Sequence, residues 1–419
     1  MRRAFRGKVL TARAGQGALG YLEDGLVIVG EDGRIEGVEP WQYGLFRGPV
    51  RDMHPAVIIP GLVDAHVHYP QTRVIGSASG PLLPWLESTI FPEEARLRDD
   101  LPHARAVADE FTARLAAAGT TSCAVFSSSS PSATRVLFEE LERSGLRALA
   151  GLTLMDERCP ESLKLPAESA LAACVELADD WHGKDRGRLG FAITPRFALS
   201  CSRALMEGAA ALARERGLFV QTHIAENPDE GTETLGAFPW ASDYLDVYDK
   251  TGLLGERTLL AHAIHLSPSE WDRVRDRGAR IAHCPDSNFF LGSGRMRLVE
   301  ASARGVPVAL GTDVAAGRTF DVRRIMASAY DNAIALGHRI EPADLFRMGT
   351  LGGAEALGMD AQTGSLEPGK DADLAIIELP VYAQGLEAVL SQVVFGSDVA
   401  RVKATYVRGH DLSSFVRAG

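Results

Sequence analysis

Ala56-Val57-Ile58-Ile59-Pro60-Gly61-Leu62-Val63-Asp64-Ala65-His66-Val67-His68 is an apolar run that ends in two histidines one residue apart. A strand places residues i and i+2 on the same face. Both imidazoles at such a strand end point one way, where two can bind one metal ion. A lone His-X-His is a weak signal, because buried histidines are commonly hydrogen-bonded core residues. Three further apolar runs close on polar groups in the same manner: Thr222-His223-Ile224-Ala225-Glu226, Ala261-His262-Ala263 and Gly311-Thr312-Asp313. Three histidines and an aspartate suit zinc or another divalent metal that keeps an open water position.

The pattern around these runs predicts the architecture. Apolar strand candidates lie at 57–59 continuing into Val63, 120–126, 147–154, 190–194, 218–222, 258–261, 280–282 and 306–310. Ala-, Leu- and Glu-rich helical stretches separate most of them, as at 104–118, 132–144, 167–180, 203–216 and 267–277. Strands alternating with helices indicate βα units and a parallel sheet. Eight such units predict a (β/α)8 TIM barrel. An open doubly wound sheet is the alternative, against which stands the lack of a Gly-rich fingerprint after the first strand. Barrel active sites lie at the C-terminal ends of the strands. His66 and His68 end strand 1, Arg196 follows strand 4, and His223, His262, His283 and Asp313 end strands 5 to 8. These polar groups are expected on one rim.

The two ends of the chain read differently. Gly25-Leu26-Val27-Ile28-Val29-Gly30, then Asp32-Gly33, then Arg34-Ile35-Glu36-Gly37-Val38 is a hairpin signal. Residues 370–378 and 402–409 are strand-like. Chain termini often lie close together. Segments 1–58 and 364–419 are therefore expected to combine as a small β-sandwich domain beside a barrel of residues 59–363.

Composition removes several function classes. The 419 residues are 46% hydrophobic, enough for a large core. A net charge of -11 argues against a nucleic-acid surface. Five cysteines, an odd count without a Cys-X-X-Cys pair, fit reduced thiols and a cytoplasmic location. The basic start Met1-Arg2-Arg3-Ala4-Phe5-Arg6-Gly7-Lys8 lacks a following apolar region and does not read as a signal peptide. No apolar run reaches the roughly 18 residues of a membrane span.

Within the expected rim, His66, His68, His223 and Asp313 are the candidate metal ligands. Three neutral imidazoles and one carboxylate leave positive charge on a divalent ion, which lowers the pKa of bound water. Glu226, three residues after His223, is placed to carry protons between that water and a substrate nitrogen. His262 is either a supporting group or a fifth ligand, and Asp313 can both bind metal and accept a proton. The segment after strand 4 reads Ile193-Thr194-Pro195-Arg196-Phe197 and offers no lysine to bridge two metals, so one ion is expected. Arg196 carries only donors and suits a carbonyl oxygen or ring nitrogen. Gln71 offers a donor and an acceptor, and Phe197 and Trp85 can supply flat walls.

The metal pattern resembles the amidohydrolase superfamily, and longer runs resemble its guanine deaminase family. They include Pro60-Gly61-Leu62-Val63-Asp64-Ala65-His66-Val67-His68-Tyr69-Pro70-Gln71, Leu82-Leu83-Pro84-Trp85-Leu86 with Phe91-Pro92-Glu93-Glu94, and Pro195-Arg196-Phe197-Ala198-Leu199-Ser200-Cys201-Ser202. Gln221-Thr222-His223-Ile224-Ala225-Glu226-Asn227, Val247-Tyr248-Asp249-Lys250 and Ile281-Ala282-His283-Cys284-Pro285-Asp286-Ser287-Asn288 continue the likeness. The resemblance implies a Zn2+ enzyme, with Fe2+ as the alternative metal. Its reaction would be the hydrolytic deamination of guanine to xanthine and ammonia in purine catabolism or salvage. It implies Glu226, His262 and Asp313 as catalytic groups, Gln71, Arg196 and Phe197 as substrate contacts, and a homodimer. After Asp313 the chain departs from the family pattern, reading Ala315-Ala316-Gly317-Arg318 where a Gly-Gly step and serines are more usual. Another aminated heterocycle, such as a pterin or triazine, is the competing substrate. A non-catalytic metal-binding scaffold is the competing class, and it would tend to lose a ligand or the proton carrier, all of which are present.

Overall fold

In the computed structural model, residues 2–13, 18–77 and 80–413 are described. Residues 1 and 14–17 of the expected N-terminal segment, and 414–419 of the C-terminal one, lie outside the described residues. Eight parallel strands follow one another in sequence order: β1 (Leu62–His68), β2 (Thr120–Phe126), β3 (Arg147–Gly151), β4 (Leu189–Pro195), β5 (Phe219–Ile224), β6 (Thr258–His262), β7 (Arg280–His283) and β8 (Val308–Leu310). This is the expected barrel. The run expected at 147–154 is β3 plus a short strand, Thr153–Leu154, which pairs with Thr194 and Pro195.

Small residues let the ring of strands pack upon itself. Val63, Ala65, Ala124, Ala192, Ala261, Ala282 and Ala309, all buried, form one cluster with Leu357 and Met359. Their i, i+2 spacing along several strands puts them on the inner face. The helices between strands start and stop on local signals. In Pro131–Ser144, the Ser130 hydroxyl accepts from the Ala133 N–H at 3.3 Å and Pro131 takes the first helical position. Gly145, at φ 81°, ends it. Its Leu137, Phe138 and Leu141 are buried against the barrel.

The barrel closes through polar groups. The Asp313 N–H donates to the His66 carbonyl at 2.8 Å. The Thr312 N–H and Oγ1 donate to the two Asp64 carboxylate oxygens at 2.9 and 2.5 Å. Gly311 permits this approach, since a Cβ there would lie 2.6 Å from the His66 Cβ.

The terminal segments do meet, in one continuous seven-stranded sheet. Its order is His410–Asp411, Arg401–Val407, Leu374–Glu378, Val50–Pro60, Arg3–Ala12, Leu19–Val29, Ile35–Pro40. The expected hairpin is present, with Val29 opposite Ile35 and Gly33 at φ 84°. One face carries Val9, Val27, Ile58, Ile376 and Tyr406 in a core of its own. The other places Leu10, Val57, Ile59 and Ile377 against helices Val322–Ala335 and Gly385–Phe395. Residues 57–60 therefore belong to this sheet, paired with Leu374 to Ile377, and not to the first barrel strand. The apolar run is continuous in hydrophobicity, yet the chain changes sheets at Gly61, whose Cβ would fall 2.0 Å from Thr121 Oγ1. Among the described residues no helix is long and apolar enough to cross a membrane.

Arg147, fully buried, joins sheet and barrel. Its Nη2 donates to Asp371 at 2.6 Å, its Nε to Asp373 at 3.1 Å and its Nη1 to Gln362 at 2.5 Å. Removing one partner from such a network leaves buried charge uncompensated. Arg147→Met should cost about 3–5 kcal/mol, read as a lowered urea midpoint. A loss below about 1 kcal/mol would show that Arg408, which also donates to Asp371 at 2.9 Å, carries the joint by itself.

Candidate active site

The C-terminal ends of β1, β5 and the turn after β8 bring His66, His68, His223 and Asp313 together. His68 Nε2 lies 3.2 Å from His66 Nε2, 3.2 Å from His223 Nε2 and 3.2 Å from Asp313 Oδ1. One ring nitrogen has a single in-plane lone pair or a single N–H, so it cannot satisfy three hydrogen bonds. The arrangement is instead that of donors around a common centre. Tetrahedral bonds of about 2.0–2.1 Å imply donor separations of roughly 3.3 Å, so this set fits a zinc-like ion.

The surroundings hold each donor in a binding state. His223 Nδ1 donates to the Arg196 carbonyl at 2.6 Å, turning Nε2 inward. Burial drives His68 down to about 3 and His223 well below the usual histidine range, so both rings are neutral. Burial opposes ionisation of Asp313, but the adjacent His66 and His68 rings outweigh it and hold the carboxyl well below its usual range. Ser287 Oγ donates to Asp313 Oδ2 at 2.5 Å, leaving Oδ1 toward the rings. Backbone strain gathers here. Ala225, His262, Ala263 and Asp313 have φ of 47°, 73°, 50° and 49°, in the region that favours glycine.

Glu226 and His262 stand beside this cluster. Burial, reinforced by the charges of Asp313 and Glu230, pushes the Glu226 carboxyl well above its usual range. Ser293 Oγ donates to Glu226 Oε1 at 3.3 Å. The other Glu226 oxygen lies 3.5 Å from His262 Nε2, a nitrogen with no hydrogen-bond partner among the described residues. His262 Nδ1 lies 2.9 Å from Asn288 Oδ1 and can donate to it, which aims Nε2 at Glu226 and at Asp313 Oδ2, 3.8 Å away. His262 is outside the four-donor group and forms a second donor group with His66 and Cys284. His283 ends β7 as expected but joins neither group, and both its ring nitrogens are buried without a hydrogen-bond partner among the described residues.

A pocket opens over the cluster. His68, His223, Glu226 and Asp313 form its polar floor, with Gln71, Arg196, Phe197, Trp85, Leu82, Leu86, Leu291 and Ala316 around it. The expected substrate contacts therefore share one cavity with His68, His223 and Asp313, three of the four expected ligands. The Gln71 amide is held in place from one side, its Oε1 accepting the Ala315 N–H at 3.0 Å.

Several supporting residues escaped sequence reasoning. Glu230 accepts the N–H groups of Glu226 and Asn227 at 2.9 and 3.2 Å, and Tyr244 donates to it. The Asn227-Pro228-Asp229-Glu230 spacing is a capping-box signal that could have found it. Helix Pro285–Phe290 supports the site three times, through Ser287, Asn288 and Asp286. Asp286 accepts from the Arg318 N–H at 2.7 Å and so anchors the departing run after Asp313. Glu94 carries no local signal for its role: it pairs with Arg196 at 2.6 Å.

A buried donor tetrahedron at the C-terminal mouth of a (β/α)8 barrel defines a metal-dependent hydrolase. The amidohydrolase family model matches residues 57–411, and the chain belongs to that family. It is 39% identical over 366 residues to the guanine deaminase of Escherichia coli (strain K12), covering 86% of this chain and 82% of that protein. A solved structure of the E. coli guanine deaminase superposes with a TM-score of 0.93 at 35% identity, covering 98% of this chain and 99% of that one. The guanine deaminase of C. acetobutylicum, solved with guanine in its active site, gives 0.92 at 31% identity, covering 98% and 100%.

Removing a donor should show in metal content. His68→Ala should retain under about a tenth of an ion per chain after gel filtration, against about one for the parent protein. Ser287→Ala should weaken affinity roughly 10–100-fold in a chelator competition, because Asp313 loses its support.

Proposed function

We propose that this protein hydrolyses guanine to xanthine and ammonia, in purine catabolism or salvage. The observation that carries the reading is one pocket, opening on a four-donor cluster, that is lined by the raised carboxyl of Glu226 and the donor-bearing Arg196. The likeness to guanine deaminases along most of the chain supports it.

His66, His68, His223 and Asp313 would hold one divalent ion. Their nitrogen and carboxylate donors favour Zn2+, with Fe2+ as the alternative. When bound, the ion supplies a Lewis acid that makes water nucleophilic near neutral pH. Arg196 and Gln71 hold the base by donating to its keto oxygen and a ring nitrogen. Phe197 and Trp85 flank it and exclude bulk water. The overall change adds the oxygen of water at C2 and breaks the bond from C2 to the amino nitrogen. Glu226 takes up one proton of the water and gives it to N3 beside C2, so the carboxyl ends as it began. Asp313 and His262 pass the second proton of the water to the amino nitrogen, which leaves as ammonia. Atoms balance with water as the only second reactant.

Five free cysteines, four of them buried, support a cytoplasmic setting for this activity. A homodimer, implied by the family resemblance, belongs to the same proposal and is read by light scattering.

The direct test mixes zinc-loaded protein with guanine and follows ammonia and the purine ultraviolet spectrum, with adenine, a pterin and cytosine alongside. Conversion of guanine alone is expected. Silence on guanine, with one metal per chain, would overturn the substrate and turn attention to the Ala315-Ala316 wall. Glu226→Gln should keep metal and base binding while turnover falls about 10²–10⁴-fold, the usual contribution of a positioned proton carrier. Near-normal turnover would remove Glu226 from the reaction.

A further inference from the structure

Glu94 does not line the pocket, yet it touches both polar groups expected to read the base. It lies on helix Phe91–Asp99 and is 1% exposed. One carboxylate oxygen, Oε2, accepts from Arg196 Nη1 at 2.6 Å, and the other, Oε1, accepts from Gln71 Nε2 at 3.3 Å. On the far side of Gln71, its Oε1 accepts the Ala315 N–H at 3.0 Å. These two neighbours leave one orientation for the amide. A flipped Gln71 would set its oxygen against the Glu94 carboxylate and its NH2 against an N–H. Phe91, from the same helix, lies under the Arg196 guanidinium with its ring centre 5.2 Å away.

We propose that Glu94 is a positioning residue that aims the remaining donors of Arg196 and Gln71 at the keto group of the substrate. The inference rests on the assignment of Arg196 and Gln71 as base contacts. The carboxylate occupies donors of both residues on the side away from the cavity and balances the arginine charge there. Guanidinium hydrogens from Arg196, which has no acceptor, and the second amide hydrogen of Gln71 remain free for a ligand. A keto oxygen pairs with these donors. An amino group in the keto position brings N–H against N–H and leaves buried donors unpaired, a cost that binding cannot recover. Discrimination between keto and amino heterocycles is thus set by a residue that never meets the base.

Glu94→Gln tests this, because its amide places an NH2 against one of the two donors whichever way it turns. The probes are hypoxanthine, which has the keto group but no 2-amino group to lose, and adenine, which has an amino group instead. Their dissociation constants need no turnover. Parent protein should favour hypoxanthine by about 100-fold or more, and Glu94→Gln should lower that ratio at least about tenfold. For guanine, KM should rise more than kcat falls. Glu94→Asp keeps the charge but draws it back by one methylene, and should lose about five- to tenfold of the preference. Should Glu94→Gln not fold, the aspartate variant decides the matter.

A purely structural ion pair would predict a lowered melting temperature with the hypoxanthine-to-adenine ratio unchanged within about twofold, and that result overturns the proposal. So does a parent protein with no preference between the probes. Guanine turnover by the parent protein is scored separately. If it is absent while the preference exists and collapses in Glu94→Gln, the guanine assignment falls and the positioning role of Glu94 stands.

Discussion

The last barrel strand is tied to the first through the Asp64 carboxylate, and the site depends on that seam. Asp64 and Thr312 are 248 residues apart in the chain, yet the Thr312 hydroxyl and N–H both donate to Asp64. One residue further on, the Asp313 N–H donates to the His66 carbonyl. Closing the barrel and bringing an aspartate beside the two histidines of β1 are therefore one event. Burial pushes Asp64 up to about 6, with the bonds from Thr312 and His66 working against that rise. Side-chain bulk is excluded where the strands meet: only a hydrogen fits at Gly311, between His66 and Cys284.

The site built on this seam costs stability. The imidazoles of His66, His68 and His262 and the carboxyls of Glu226 and Asp313 are buried together, and non-glycine residues there sit in left-handed backbone conformations. Such strain persists only where the surroundings over-determine it. Here helix Pro285–Phe290 and the cap formed by Glu230 do so. Arg196 has a double position in the network. Its carbonyl sets which nitrogen of His223 faces inward, and its side chain faces the pocket. A change in the backbone at the end of β4 would disturb the donor cluster and the base-reading edge at once.

Much of this architecture was legible in local patterns. The eight βα units and the hairpin at Asp32-Gly33 declared themselves through periodicity and turn residues, though the first hairpin strand begins at Leu19 rather than Gly25 and the helix expected from Ala104 begins at Leu101. The exception was the run from Ala56 to His68, where one stretch of hydrophobicity serves two sheets. Hydrophobic patterning reports burial, and residues 57–60 are as buried as β1. It cannot report which sheet does the burying. The residues expected to converge at the rim lie in one place because strand ends in a barrel share a mouth. His283 shows the limit of that rule, since a strand end alone does not say which way its side chain turns.

The sequence by itself determined the secondary elements, the parallel barrel and the chemical identities of the donors, because these follow from relations between neighbours one to four residues apart. Tertiary structure alone decided the electrical state of those groups. The raised carboxyl of Glu226, the neutral rings of His68 and His223, the fixed amide of Gln71 and the partnership of Arg196 with Glu94 all arise between segments far apart in the chain. Protonation and hydrogen-bond polarity depend on burial and on which charges lie within a few ångströms, and the fold sets both distances.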